Sequence, residues 1–378
     1  MLVLLALTIV TGFLLTHRLG SLVPGLSLEE QRYIQAQVSG RQILDNPVFA
    51  FHKIPIYILF KLQIHSLGAY RAISGLFAMS MVISSFFILK RWYSLRIATA
   101  GSLLLASAAV TLHLGRLATP EATFMLILPL FAVVTWLLAT KKRKLSLLIL
   151  SALIGLSLYV PGFIWLLLGL CAWQRKNLWR AIKKLPWWFR AICGLVIILI
   201  SLPLIVASSH TPQNVLLAAG LPTHLPSVGH ISKNILRIPL QLFILGPKDP
   251  VRWLGQLPLL DVFSTVMLVL GVYSLRYHLS KTRPRLLVAS IIIITSLVAL
   301  GGIPLTSLVP LLYVLSAGGI AFMLQQWFTV FPRNPIARAI ATSLVSIAVL
   351  LVAFYATSHY FIAWPGSPAT QQVFNQKL

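Results

Sequence analysis

The sequence predicts an all-α, polytopic transmembrane protein with about eleven spans, and three observations carry that prediction. Apolar residues make up 58% of the chain and charged residues only 10%, at a mean hydropathy of +0.89, far from the balance of a soluble domain. The apolar runs recur along the whole sequence, several near bilayer-crossing length, and none alternates as a barrel strand would. Between them sit 31 Lys and Arg against 6 Asp and Glu, a formal net charge of +25. Basic residues flanking spans are what positive-inside bias and anionic headgroups select, so this charge implies a bilayer and no nucleic acid.

The first run, LVLLALTIVTGFLLT within 2–17, has no basic residue ahead of it and no small-residue cleavage site. It reads as a retained helix rather than a signal peptide. Further spans are expected near 69–89, 97–114, 122–140, 145–159, 162–174, 188–207, 256–275, 285–302, 305–327 and 338–358. The runs 145–159 and 162–174 are short and meet at Pro161-Gly162. That is the pattern of a re-entrant pair, tolerated where protein covers the loosened backbone. The small-residue stretches GLFAMSM and LSAGGIA read as sites of close helix packing, and WFTVFPRNPIAR as a tight turn between spans. Tyr355, His359, Tyr360 and Trp364, at the end of the last span, fit an interfacial aromatic belt. Cys171 and Cys193 lie in or beside apolar runs and imply neither a disulfide framework nor a metal knuckle.

Orientation follows from the basic clusters. Lys141-Lys142-Arg143-Lys144, Arg175-Lys176, Lys183-Lys184 and Arg283 with Arg285 fall on one side if the spans alternate. That side is then cytoplasmic, with the N-terminus inside and the C-terminus outside the cell membrane. In this arrangement Glu29, Glu30, Asp45, Glu121, Asp249 and Asp261, all the acids of the chain, lie at the outer face. The whole of 1–378 reads as a single transmembrane domain, with long outer segments at 18–68 and 208–255 and no soluble C-terminal domain. The first outer segment joins a polar, helix-compatible stretch (LEEQRYIQAQVSGRQIL) to an apolar one (IPIYILFKLQIHSLG), expected as interfacial helices. The second pairs a Pro/His/Gly-rich section with ISKNILRIPLQLFILG, also of interfacial character.

The outer acids carry the functional question. In SLEEQRY, Ser27 can cap a helix whose first turn favours Glu29 and Glu30 electrostatically. The same carboxylates can instead work at the membrane surface as general base or metal ligand. Glu121, just after Thr119-Pro120, admits the same two readings, a first-turn acid or a working one. If Glu29 and Glu121 converge, two carboxylates suit an oxygen-seeking divalent cation such as Mg or Mn. Around these acids stand His52, Lys53, Arg71, His113, Arg116, Arg237 and Arg252, cations and imidazoles that match the oxygens of a phosphate.

Four motifs follow in order across about residues 25–125. Glu29-Glu30 with Tyr33 lies in the first outer segment. His52-Lys53-Ile54-Pro55-Ile56-Tyr57 precedes an apolar stretch. Arg71 opens the second span within YRAISGLFA, and Arg116 is followed by Pro120-Glu121 after the third. Together they resemble the GT-C superfamily of integral-membrane glycosyltransferases. The resemblance is strongest to the branch of dolichyl-phosphate-mannose–protein mannosyltransferases and lipid A aminoarabinose transferases. Glu29 stands where that branch carries Asp, and its Pro-Pro pair is reduced here to Ile54-Pro55.

The resemblance implies a GT-C-like fold and a mannosyltransferase-like, inverting transfer of sugar from a polyprenyl-phosphate donor at the outer face. The acceptor would be a hydroxyl of protein, lipid or polysaccharide. Glu29 would be the base, with Glu30 and Glu121 completing the catalytic set. Lys53, Arg71, Arg116, His52 and His113 would meet the donor phosphate, and Arg237, Arg252 and Asp261 would be outer-loop contacts. Two rivals use the same residues: a transporter or flippase of a lipid-linked or other anionic substrate, and a non-catalytic relative of the enzyme. The sequence has neither a mid-membrane acid nor an inverted repeat, which weighs against transport.

Overall fold

A computed structural model describes residues 2–139, 143–279 and 281–377; Lys141 and Lys142 of the basic cluster lie outside them. Among the described residues every regular element is a helix. In chain order these are α1 (Leu2–Thr16), α2 (Leu28–Gln37), α3 (Arg41–Asp45), α4 (Ala50–Lys61), α5 (Leu67–Trp92), α6 (Leu95–Ser107), α7 (Ala109–Leu114), α8 (Ile127–Ala139), α9 (Arg143–Ser157) and α10 (Phe163–Trp173). There follow α11 (Arg175–Lys183), α12 (Trp187–His210), α13 (Gln213–Ala218), α14 (Val228–Phe243), α15 (Val262–His278), α16 (Thr282–Ala299), α17 (Val309–Val330) and α18 (Pro335–Ser358). Among the described residues, six helical segments are long and apolar enough to cross a bilayer, at 67–92, 120–137, 187–210, 282–299, 305–330 and 335–366. Four shorter apolar helices, α1, α6, α9 and α10, accompany them. The protein is a multi-pass, all-helical membrane protein.

The expected apolar runs are mostly helical, with residue 140 outside the described residues, and three of them differ from expectation. The run expected as one span at 97–114 is two helices, because Ala108 leaves helical backbone at ψ 138°. The run at 122–140 opens as a tight 3₁₀ segment, Pro120–Leu126, before α8. The run at 256–275 is helical only from Val262, since Asp261 is its N-cap and accepts from Ser264 N at 2.8 Å.

Helix α17 forms the centre. Most of it is buried, whereas α12 and α18 turn largely apolar faces outward, as expected where lipid rather than water covers the surface. Its partner is α15, and the two cross at Gly271 and Gly319. A Cβ on Gly319 would strike Met267 O, and one on Gly271 would strike Leu315 O. The LSAGGIA stretch is thus a close helix contact, as small residues allow. The short pair α9 and α10 turns at Pro161-Gly162 under cover of protein. Gly162 N donates to Ala218 O at 3.1 Å, and Phe49 N donates to Tyr159 O at 3.1 Å.

Helix α5 organises the rest, packing against α1, α4, α6, α8 and the 120–126 segment. Its first turn holds the segment 18–66 and its last turn carries Lys90 and Arg91. Between α1 and α5 lie α2, α3 and α4, seated through Leu26, Ile34, Ile56, Tyr70, Ile73 and Ala118. The chain's last residues return to this loop. Leu26 and Gln376 exchange N–H···O bonds at 2.9 and 3.0 Å, and Phe374 is fully buried against Trp364. Tyr360 and Trp364, expected in an aromatic belt, are instead buried in this protein cluster with Leu22, Val23 and Leu117. Tyr355, a turn earlier, is exposed.

Candidate functional site

The adjacent acids of α2 have opposite surroundings. Ser27 caps the helix: its Oγ accepts from Glu30 N, and Glu30 Oε2 accepts from Ser27 N, both at 3.2 Å. This capping box satisfies two backbone donors that the helix start would otherwise leave unpaired. The same carboxylate accepts from Arg71 Nε at 3.1 Å, Arg71 Nη2 at 2.9 Å and Ala118 N at 2.8 Å. Arg71 also donates to Leu19 O and Gly25 O. Glu30 and Arg71 are both buried, and their bidentate pair ties α2, α5 and the 115–119 turn together.

Successive residues of a helix point about 100° apart. With Glu30 directed inward, Glu29 emerges at the rim of the same helix start. It is exposed, 3.7 Å from the guanidinium of Arg252. Arg252 also lies 3.7 Å from Asp249, and half-buried Glu121 is within electrostatic reach of Arg252, Glu29 and Asp249. Four charged groups from three distant stretches of sequence therefore share one patch.

Asp249 and Arg252 are brought there by a compact loop between α14 and α15. Gly246 N donates to Gln256 O at 2.9 Å, closing the loop's ends, and Trp253 fills it, wholly buried. Glycine is required at 246 because a Cβ would collide with Leu257 O. Asp249 stiffens the turn by accepting from Val251 N at 2.9 Å. His113 docks the loop from below, its Nε2 donating to Val251 O at 2.8 Å, between the rings of Trp253 and Trp364.

His52 is buried, with Nε2 2.9 Å from Ser74 Oγ and Nδ1 3.1 Å from Tyr33 Oη. Ser74 spends its one proton on Leu117 O at 2.6 Å, so His52 Nε2–H donates to Ser74 and Nδ1 accepts from Tyr33. Burial pushes the imidazole pKa down to about 3 and the Tyr33 phenol pKa up, which keeps this relay neutral. Lys53, also buried, donates to Asn46 O at 2.6 Å; burial lowers its pKa to about 8. Arg116 donates to Leu14 O at 2.7 Å and His17 O at 2.6 Å, capping the end of α1, and stacks 4.9 Å from the Phe361 ring. Asp261 is engaged with Ser264 at the start of α15, and Arg237 stands on an exposed face of α14.

The geometry thus gathers Glu29, Glu121 and Arg252 and adds Asp249, which the sequence showed only as one more outer acid. Its Asp-Pro step within GPKDPVRWLG was the available signal for a turn. The fit of a divalent ion can be tested on these residues. Among those described, no three His, Cys, Asp or Glu gather at ligating separation, and Arg252 already sits among the three carboxylates. They do not form a cage for Mg or Mn. What the patch offers is an exposed carboxylate on a helix start fixed by its capping box, one cation, Arg252, beside it, and a wall built from the segments 18–68 and 208–255.

No family model matches the chain, and no curated protein matches it by sequence. Solved structures that share its fold include two of one protein. ArnT from Cupriavidus metallidurans bound to undecaprenyl phosphate superposes with a TM-score of 0.56 at 14% identity, covering 98% of this chain and 76% of that one. The apo state of the same protein gives 0.50 at 15%, with the same coverage. The protein therefore shares the fold of these structures along nearly its whole length.

Proposed function

We propose that this protein is an inverting, GT-C-type glycosyltransferase that takes its sugar from a polyprenyl-phosphate donor at the outer membrane face. The observation that carries the proposal is the divided acid pair. Glu30 is bound from four directions inside the fold, which fixes the start of α2 and leaves Glu29 as a carboxylate at the rim of the outer loops. The shared fold with a protein solved bound to undecaprenyl phosphate supports a donor of the same lipid class.

In this reading Glu29 accepts the proton of the acceptor hydroxyl as its oxygen attacks the anomeric carbon. The bond from that carbon to the phosphate oxygen breaks, and the polyprenyl phosphate leaves carrying the electron pair. Attack opposite the leaving group inverts the anomeric centre, as when a base and a departing group flank a sugar from its two faces. Negative charge grows on the phosphate during this step, and fixed cations there lower the barrier. Lys53, which retains two N–H donors beyond its bond to Asn46, and Arg252 meet the phosphate first. Arg71 and Arg116, whose guanidiniums are bound to backbone carbonyls, hold the wall on which the site stands, with His52 and His113 pinning its two loops. Glu121 and Asp249 orient Arg252. The outer-face placement rests on the distribution of basic residues.

The test is purified full-length protein in lipid nanodiscs with a panel of polyprenyl-phosphate sugars, including mannosyl and aminoarabinosyl donors, and alcohol acceptors. Polyprenyl phosphate should be released from one donor class, with a product of inverted anomeric configuration. Binding of no donor, or a retained configuration, would overturn it.

A further inference from the structure

The far end of α5 carries a second constellation of charge. Lys90 is about 28 Å from Arg71 along the helix, at 1.5 Å per residue, so this end lies across the bilayer from Glu29. There a cavity of about 900 Å³ opens between the last turns of α5, α8 and the first turn of α16. Its rim holds Lys90, Arg91 and Arg283, and Arg283 is steadied by donating to Arg91 O at 3.1 Å. Thr135 contributes a hydroxyl, while Phe87 and Val133 line the wall that runs toward the bilayer centre. Phe87 is 52% exposed and Val133 39%.

None of the chain's six carboxylates lines this cavity, and Lys90, Arg91 and Arg283 belong to no ion pair among the described residues. Three cations from two helices thus surround one space with no protein counter-charge. Basic residues at a helix end ordinarily meet headgroups one by one. Here they converge on a walled space continuous with an apolar surface. A ligand that matches both parts has a phosphate at one end and acyl chains at the other. Inorganic phosphate would satisfy the rim and leave the wall bare; a neutral lipid would do the reverse.

We propose that this cavity is a specific site for one anionic phospholipid, its phosphate held by Lys90, Arg91 and Arg283 and a chain lying along Phe87 and Val133. The site is separate from the transfer chemistry proposed above and does not depend on it.

Native mass spectrometry of the full chain, released from nanodiscs of equal phosphatidylglycerol and phosphatidylcholine, tests this. One phosphatidylglycerol per chain should be retained, saturably and at least about tenfold over phosphatidylcholine. The Lys90→Gln, Arg91→Gln, Arg283→Gln triple variant should reduce that preference to parity. If the variant does not fold, the wild-type chain in 0.5 M salt should lose the preference instead, because the rim cations are exposed and screenable. Equal retention of the two lipids would overturn the proposal. So would an open-ended ladder of bound lipids, or a preference that survives both the variant and the salt. Thermal stabilisation by inorganic phosphate equal to that by the lipid would make this an anion site and overturn the assignment to a lipid.

Discussion

Replacing Glu30 by Ala removes the acceptor for four donors at once: Ser27 N, Ala118 N and two nitrogens of Arg71. The largest cost is electrostatic. Arg71 is 1% exposed, so its guanidinium would stay buried without a counter-ion, at about 3–5 kcal/mol. An orphaned amide at Ala118 and the lost capping box overlap with that cost, about 1–3 and 1 kcal/mol in isolation. The variant should therefore lose about 4–6 kcal/mol. Adding Arg71→Met removes the stranded charge and fills its space with an apolar chain, so the double variant should recover at least about 2 kcal/mol of the deficit. Reversible unfolding in mixed detergent micelles reads both numbers. Stability of Glu30→Ala within about 0.5 kcal/mol of wild type, or a double variant weaker than either single one, would refute the structural assignment of Glu30.

Three further outcomes follow from the same geometry. Lys53, with a pKa of about 8, keeps its charge in only about one chain in ten at pH 9. Donor KM should rise about tenfold between pH 7 and 9, and Lys53→Arg should flatten that rise; a flat wild-type profile would remove Lys53 from the phosphate site. His52 is neutral in the fold down to about pH 3, whereas an unfolded chain protonates it near 6.5. The unfolded state thus binds more protons between those values. Stability from this group is full above about pH 6.5 and lost as pH falls, by about 2 kcal/mol at pH 5. His52→Asn should lessen the acid slope of the unfolding midpoint, and an unchanged slope would contradict the buried relay. Gly319→Ala forces a methyl onto Met267 O and should cost about 3 kcal/mol or more, whereas Gly366→Ala, with nothing within 4 Å, should be neutral in the same assay.

The helical architecture was legible because spanning segments must be long and apolar, and such runs show in one dimension. Four motifs that the fold packs against one another stood out in the sequence because they lie within about a hundred residues of one another. Which of two adjacent glutamates is structural was not, since capping and catalysis favour the same residue types at the same place. Only the position of Arg71 and of the Ala118 amide separates Glu30 from Glu29. Nor could the sequence bring Asp249 and Arg252 to Glu29, more than two hundred residues away, because the loop that does so is held by a single buried tryptophan and a glycine contact. Tyr360 and Trp364 misled for a related reason. Aromatic residues at a span end look alike whether they face headgroups or protein, and here the returning tail with Phe374 covers them.

The division of labour between the paired acids is tested most directly by comparing Glu29→Gln with Glu30→Gln in nanodiscs, scoring sugar transfer, donor affinity and melting point together. Glu29→Gln should melt with the wild type and hold donor normally while turnover falls by about 100-fold or more, the scale of a lost general base. Glu30→Gln should lower the melting point. Undiminished transfer by Glu29→Gln, or unchanged melting of Glu30→Gln with loss of transfer alone, would contradict the assignment.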